Sequence, residues 1–193
     1  MKFLILGYSN IFRKRILNVL LKKKINFCVA SKSVSIKNKN SFVKFKNYKD
    51  ALNNSKANIV YISLANSLHY IWAKRALEKN YHVIVDKPIT LKLKEVQKLL
   101  KIAKKRNKLL AEATFFNFHK QFTESLKILK GEKKIKLINT NFIIPQPKLN
   151  SFRMSKKFGG GCLADMGPYA AATARILGSG KLINMTSNTY KNK

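Results

Sequence analysis

Short apolar runs alternate along this chain with stretches whose apolar residues return at helical spacing. Phe3 to Leu6 is the first run, and Ile11 to Leu21 follows with apolar residues at positions 16, 17, 20 and 21. Such spacing puts them on one face of a helix. Asn26 to Ala30 and Phe42 to Phe45 predict a second and a third strand, and Asn47 to Asn54 a brief helix. Ile59 to Ser63 is apolar almost throughout, as expected of a strand covered on both faces. Ser67 to Lys79 predicts a helix with Leu68, Ile71, Trp72 and Leu77 on one side, and His82 to Val85 the next strand. Thr90 is then a reasonable N-cap for a helix from Leu91 to Arg106, where Val96, Leu99, Leu100 and Ala103 keep helical spacing. Strands and helices in this alternation predict a parallel sheet wrapped by helices.

The pattern changes after Lys108-Leu109-Leu110-Ala111-Glu112. A helix near Phe118 to Lys130 leads to a long strand, about Lys134 to Ile144, which Pro145-Gln146-Pro147 ends. A loop runs to Gly159-Gly160-Gly161, a helix covers about Asp165 to Leu177, and a last strand spans Leu182 to Tyr190. A strand-helix-strand fragment does not close a core by itself. The expected fold class is therefore α/β, a parallel-sheet domain over residues 1–115 followed by an incomplete α+β unit over 116–193.

Composition narrows the class. The 193 residues, 46% of them apolar, suffice for one good core and part of a second domain. No apolar run approaches the roughly 20 residues that cross a bilayer. The start, Met1 to Gly7, is too short in apolar residues for a signal peptide and lacks a small-residue cleavage site. Cys28 and Cys162 stand apart, with neither metal-ligand spacing nor a paired framework. These features predict a cytoplasmic protein with reduced thiols, no metal site and no membrane partner.

A net charge of +32 demands its own account. It points to nucleic acid or an anionic surface, through phosphate neutralisation. However, lysine supplies 34 of the 40 basic residues, and 19 asparagines accompany it, a composition that tracks A/T-rich coding. No arginine cluster, RNA-binding aromatic motif or zinc finger goes with the charge. Lys92, Lys94, Lys98, Lys101, Lys104 and Lys105 instead fall along one predicted helix. The charge reads as a solvated surface, and nucleic acid as the lesser partner. It would attract anionic substrates in either case.

Candidate chemistry collects where strands end, because ligands of open α/β sheets bind beyond the carboxyl ends of the strands. Gly7-Tyr8-Ser9-Asn10-Ile11-Phe12 joins the first strand to the first helix, where backbone N–H groups and a helix N-terminus favour a phosphate. Gly7, Ser9, Asn10 and Ile11 are the candidate contacts. Only the first of the three expected glycines is present; Ser9 replaces the second and can supply a hydroxyl, and Phe12 replaces the third. At the end of the second strand an NAD site carries an acidic residue for the ribose hydroxyls. This chain has Ser31 and Lys32, which would accept a 2′-phosphate and so favour NADP, with NAD the runner-up. The same residues also make an ordinary polar turn. After the fourth strand, Leu64, Asn66 and His69 either border a nicotinamide or belong to the start of a helix. Asp86-Lys87-Pro88 closes the fifth apolar run, and Pro88 keeps Lys87 in an extended turn. A lysine beside a carboxylate there can bind a substrate oxygen and take part in proton transfer.

These residues resemble the Gfo/Idh/MocA oxidoreductases from Phe3 to about Gly178. The specific blocks are Val60 to His69, His82 to Pro88, and Gly159 to Tyr169, in the family's order; Phe45 to Tyr48 and Phe115 to His119 match more loosely. The resemblance implies a Rossmann domain, a substrate domain on an open antiparallel sheet, and a nicotinamide cofactor between them. It implies sugars, sugar nucleotides, inositols and related alcohols or ketones as substrates. Lys87 matches the lysine that binds the reacting oxygen, with Asp86 in place of the usual glutamate. Asp165 matches an aspartate that contacts substrate, His119 falls in a loosely matched substrate segment, and Tyr169 stands where some members carry a tyrosine proton donor. Burial and neighbouring cations are expected to lower the pKa of Lys87 or Tyr169 towards neutrality. Ala65 replaces a usual proline, and Ala172 an aspartate or asparagine. Members of the family continue well beyond this length, so the chain is expected to be an N-terminal portion that pairs with a second subunit only if the substrate domain is completed. The alternatives are a catalytically inactive NADP-binding fragment and, less favoured, a basic nucleic-acid-binding protein.

Overall fold

The computed structural model describes residues 1–32, 42–129, 135–148, 150–178 and 183–188. Its frame is one six-stranded sheet. The strands are β1 (Lys2–Leu6), β2 (Asn26–Ala30), β3 (Val43–Phe45), β4 (Ile59–Ile62), β5 (His82–Asp86) and β6 (Leu110–Ala113). They lie in the order β3-β2-β1-β4-β5-β6, every pair parallel. Helices α1 (Leu17–Lys22), α2 (Tyr48–Asn54), α3 (Asn66–Glu78) and α4 (Leu93–Lys105) make the crossovers, and α5 (Lys120–Leu129) and α6 (Cys162–Leu177) follow the sheet. This is the parallel α/β sheet that the alternation predicts, in the Rossmann-type arrangement that the resemblance implies.

Strand side chains alternate between the two faces, so each strand feeds two cores. Leu4, Leu6, Cys28, Ala30, Val60, Ile62, Val83 and Val85 pack beneath Tyr48, Trp72, Ala73, Leu77 and Leu99 of α2, α3 and α4. Ile5, Phe27, Val29 and Tyr61 face the other way, against Phe12, Leu17 and Leu20. Phe12 is fully buried and packs edge-on to Phe27, so a ring occupies the position that a third glycine would leave open.

Strand order reverses between β1 and β4, where Leu6 pairs with Ile62. Just beyond that pair, Gly7 donates its N–H to the Ala30 carbonyl (2.9 Å), and Ser63 donates to the Leu6 carbonyl (2.8 Å). A crevice at such a reversal is where open α/β sheets bind ligands.

Several elements differ from the sequence expectation. β6 is a sixth strand that Leu110-Ala111-Glu112-Ala113 does not announce, since nothing in it is β-branched; pairing with β5 makes it one. Thr90 does not cap α4. Its hydroxyl bonds the backbone of Lys92 in a local turn, and the helix starts at Leu93. Five residues of π-helix, Phe12–Ile16, precede α1. The helix expected near Phe118 to Lys130 is a 3-10 turn, Phe115–Phe118, then α5; Lys130 lies outside the described residues. α6 begins earlier than expected, at Cys162, directly after Gly161. Residues 135–144 form no strand, because none among the described residues offers them a partner ladder, and Lys134 lies outside those residues. Residues 183–188 likewise have no regular structure, and Leu182 and Tyr190 fall outside the description. Among the described residues no helix is long and apolar enough to cross a membrane, and no group of three potential metal ligands occurs.

Candidate active site at the carboxyl ends of the strands

The turn after β1 is shaped by close backbone approach. Gly7 has φ +100°, and a Cβ there would come within 2.2 Å of the Ser63 carbonyl oxygen, so only glycine fits. Ser9 caps the helix that follows by accepting the Phe12 N–H at 3.0 Å. Its hydroxyl lies 2.6 Å from that of Ser63, and Ser63 donates to Asp86 Oδ2 at 2.6 Å. Tyr61 donates to Asp86 Oδ1. Since the proton of Ser63 goes to the carboxylate, the proton of Ser9 goes to Ser63. The Ser9 hydroxyl is thus committed within the fold, which leaves backbone N–H groups as the donors of this turn. Asn10 and Ile11 are exposed at the helix start, with Asn10 accepting from Arg13. Burial, and then the charge of Asp86, push the Tyr61 phenol far above its ordinary pKa.

At the end of β2, Ser31 is buried and donates its N–H to the Phe45 carbonyl at 3.0 Å. Lys32 is exposed, its ammonium 5.8 Å from the Tyr48 ring centroid. No acidic residue follows β2 before β3.

The candidate site centres on Lys87, in the bend after β5 that contains a cis Lys87-Pro88 peptide. Its ammonium donates to the Asp165 main-chain oxygen at 2.5 Å and to Asp165 Oδ1 at 2.6 Å. Both side chains are largely buried, at 16% and 12% exposure, so this ion pair is little screened. Arg153 Nε stands 3.6 Å from the other carboxylate oxygen. Tyr169 lies one helical turn beyond Asp165 on α6, and residues spaced in this way share a face. The Lys87 ammonium sits 4.9 Å from the Tyr169 ring centroid, a cation–π contact. Phe142 stacks on that ring at 5.7 Å and 29°, and Phe116 meets it at 5.9 Å.

The Tyr169 phenol titrates above its ordinary value, because burial and the Asp165 carboxylate outweigh nearby Arg153. The expected lowering is thereby reversed. The charge that acts most strongly on this phenol is an anion, and its proton is held more tightly, not less.

The glycine run sets where α6 begins. Gly159, at φ +75°, offers its carbonyl to Asn66 Nδ2 at 2.8 Å. A Cβ on Gly160 would lie 2.3 Å from the Arg153 carbonyl oxygen, to which Gly161 donates its N–H at 2.8 Å. The run is pinned to α3 on one side and to the Phe152–Met154 turn on the other.

Structure therefore brings together Lys87, Asp165 and Tyr169, with Asp86 behind them. Asn66 and His69 are buried: Asn66 holds Gly159, and the His69 ring nitrogens face the carbonyls of Pro88 (2.7 Å) and Leu64 (3.1 Å). Leu64 is half-buried against the core. His119 is not brought into contact with this group; it is exposed, and its ring nitrogen accepts the Gln121 N–H at 3.2 Å at the start of α5. Sequence reasoning missed Tyr61, Ser63, Arg153, Phe116, Phe142 and Glu112. Tyr61 and Ser63 could have been found from their same-face spacing in a strand otherwise apolar, and Glu112 as an isolated carboxylate in an apolar run. Asn117 Oδ1, beside Phe116 in the chain, is buried without a hydrogen-bond partner among the described residues.

Comparison with known proteins agrees with this fold. The Gfo/Idh/MocA model, described as an oxidoreductase family with an NAD-binding Rossmann fold, matches residues 1–114. A dTDP-3,4-didehydro-2,6-dideoxy-alpha-D-glucose 3-reductase of Streptomyces violaceoruber is 31% identical over 120 residues, 61% of this chain and 35% of that protein. A D-xylose 1-dehydrogenase (NADP(+)) 2 of Haloferax volcanii is 27% identical over 67% of this chain and 40% of its own. A crystal structure of a 3-ketoreductase from Actinomadura kijaniata, in complex with NADP and TDP-benzene, superposes with a TM-score of 0.80 at 25% identity. That superposition covers 92% of this chain and 57% of the other. The matched segments cover only 35% and 40% of these two curated relatives' own lengths. The family match over more than half the chain, on a sheet of this order with Lys87 at the end of its fifth strand, means that the chain belongs to the Gfo/Idh/MocA family of oxidoreductases.

Proposed function

We propose that this protein transfers a hydride between NADP and a sugar or sugar-derived alcohol or ketone. One observation carries the reading: Lys87, at the carboxyl end of β5, holds its ammonium on Asp165 and against the ring of Tyr169. A cation, a carboxylate and a phenol converge where a carbonyl oxygen would need a positive charge and a proton.

The first turn fits a nicotinamide dinucleotide. Gly7 lets the backbone pass against Ser63, and the N–H groups near Ser9, Asn10 and Ile11 open the helix towards a pyrophosphate. Ser31 and Lys32, with no acidic neighbour, suit a 2′-phosphate, and Leu64, Asn66, His69, Asp86 and Lys87 bound the side towards the nicotinamide. When bound, the cofactor supplies or accepts the hydride. Lys87 orients and polarises the substrate oxygen, Asp165 fixes Lys87 and contacts substrate, and Tyr169 exchanges the proton. Because the Tyr169 phenol is held above its ordinary value, it keeps its proton at neutral pH and serves as an acid for ketone reduction. Alcohol oxidation needs the phenolate and is favoured at alkaline pH.

The NADP(+) in the name of the Haloferax volcanii relative and the dTDP sugar of the Streptomyces violaceoruber relative support this substrate and cofactor class. In this reading residues 1–115 hold the cofactor, residues 116–193 begin the substrate side, and the protein works in the cytoplasm, where Cys28 and Cys162 stay reduced.

The test is titration with NADPH and NADH, followed by turnover of NADPH with D-xylose-derived and TDP-linked ketosugars. Binding of NADPH about tenfold tighter than NADH is expected from one added charge-assisted contact. If neither dinucleotide binds, the reading fails; a preference for NADH removes only the role of Ser31 and Lys32.

A further inference from the structure

The Pro88–Ile89 peptide, one residue beyond Lys87, is held at both of its polar ends. Its carbonyl, that of Pro88, faces His69 Nδ1 at 2.7 Å. Its N–H, that of Ile89, donates to Glu112 Oε1 at 2.8 Å. The other Glu112 oxygen accepts the Thr114 hydroxyl at 3.2 Å. His69 is fully buried on α3, and Glu112 projects from β6, so two elements on either side of β5 grip one peptide plane.

That grip acts on Lys87 through very few free rotations. The ring of Pro88 fixes its φ, and Pro88 has no N–H of its own to anchor. Orientation of the Pro88–Ile89 plane then sets the remaining backbone angle of Pro88. With both angles held, the Cα of Lys87 has one position relative to the sheet, and the ammonium reaches Asp165 from there. A carboxylate that accepts a backbone N–H makes one of the stronger kinds of hydrogen bond. The Glu112 carboxylate bonds Ile89 and Thr114, and among the described residues it makes no hydrogen bond or ion pair with Lys87.

We propose that Glu112 is a positioning residue for Lys87, acting through the Pro88–Ile89 peptide that it shares with His69. This rests on reading Lys87 as the residue that meets the substrate. Glu112→Gln keeps an oxygen for the Ile89 N–H and an amide for the Thr114 hydroxyl; Glu112→Ala removes both.

The 34 lysines provide the readout without any need for turnover. Folded protein is treated with an acetylating N-hydroxysuccinimide ester, and the rate at each lysine is followed by peptide mass spectrometry. In Glu112→Ala, Lys87 should react about tenfold faster relative to the other lysines, as expected for loss of a charge-assisted bond. In Glu112→Gln it should stay within about twofold of wild type. An unchanged Lys87 rate in the alanine variant overturns the proposal. So does a glutamine variant as fast as alanine, or a rise shared by all lysines, which would mean general loosening. Should Glu112→Ala fail to fold, Glu112→Asp draws the carboxylate one methylene back from the Ile89 N–H, and an unchanged Lys87 rate there is equally decisive against it. Absence of NADPH turnover in wild type, with the lysine contrast intact, would sink the oxidoreductase reading and leave the positioning role standing.

Discussion

Between Lys2 and Ala113 the strands bury Leu4, Leu6, Val60, Ile62, Val83 and Val85 almost completely. Beyond Thr114, Ala172 is the only buried apolar side chain among the described residues. Ile143 and Ile183 are more than nine-tenths exposed there, and Leu137 and Leu163 are well exposed too. The first region is held by apolar burial on two faces of a sheet. The second is joined to it by specific polar and ring contacts: Asn66 to Gly159, Lys87 to Asp165, and the Lys87 ammonium to the Tyr169 ring. The candidate site lies on the seam between these regimes. Its lysine comes from the rigid frame, whereas its carboxylate and phenol come from a helix placed by a few directional bonds. A site built in this way is sensitive to single polar changes that would be harmless elsewhere.

The contrast can be broken or sharpened in order of expected effect. Lys87→Ala should lower turnover by at least about 10³-fold, within the range for loss of a positioned proton-transfer group, while NADPH affinity stays near wild type. Steady-state rates and a fluorescence titration on the same preparation separate the two, and unchanged turnover would remove Lys87 from the chemistry. Packing comes next. Leu4→Ala, at a site with no exposure, should cost about 2–5 kcal/mol, whereas Ile143→Ala should cost less than about 0.5 kcal/mol. Urea midpoints compare them; equal shifts would mean that the second region is packed as firmly as the first.

Tyr169→Phe keeps the ring that Lys87 and Phe142 contact but removes its proton, so turnover should fall about 10²-fold with little change in stability. In wild type, oxidation of an alcohol should speed up as pH rises above neutrality, because the raised phenol must lose its proton first. A rate that declines over that range would assign the proton to another group.

The smallest effect concerns the frame. The Tyr61 phenol is raised in the fold above an unfolded value of about 10, first by burial and then by Asp86. Its contribution to stability is fully present below about pH 10 and is lost as pH rises through the folded value. Urea midpoints should therefore fall above about pH 10 in wild type and less steeply in Tyr61→Phe, which starts about 1 kcal/mol lower for want of one hydrogen bond. Parallel curves would mean that Tyr61 does not supply the alkaline sensitivity.

Much of the first region was legible in the chain because its signals are local. Ile59 to Ile62 and His82 to Asp86 are apolar runs of strand length, and α3 carries its apolar residues at helical spacing. β6 escaped because Ala and Glu favour no strand; it exists only because β5 offers a free edge. The reverse error, a strand over Lys134 to Ile144, arose from an apolar run that finds no partner among the described residues. The resemblance pointed to Lys87, Asp165 and Tyr169, but Glu112, Tyr61 and Ser63 carry no such mark, because their roles are bonds to groups distant in the chain.

By itself the sequence determined the succession of the first five strands and the helices between them, and the lysine at the end of the fifth strand. Periodicity and backbone preference act over a few residues, so the chain displays them directly. Tertiary structure decided that Lys87 meets Asp165 across 78 residues, that Ser9 gives its proton to Ser63, and that the Tyr169 proton is held more tightly rather than less. Those outcomes depend on which distant charges come within a few ångströms and how far water is excluded from them. Only the folded arrangement sets both.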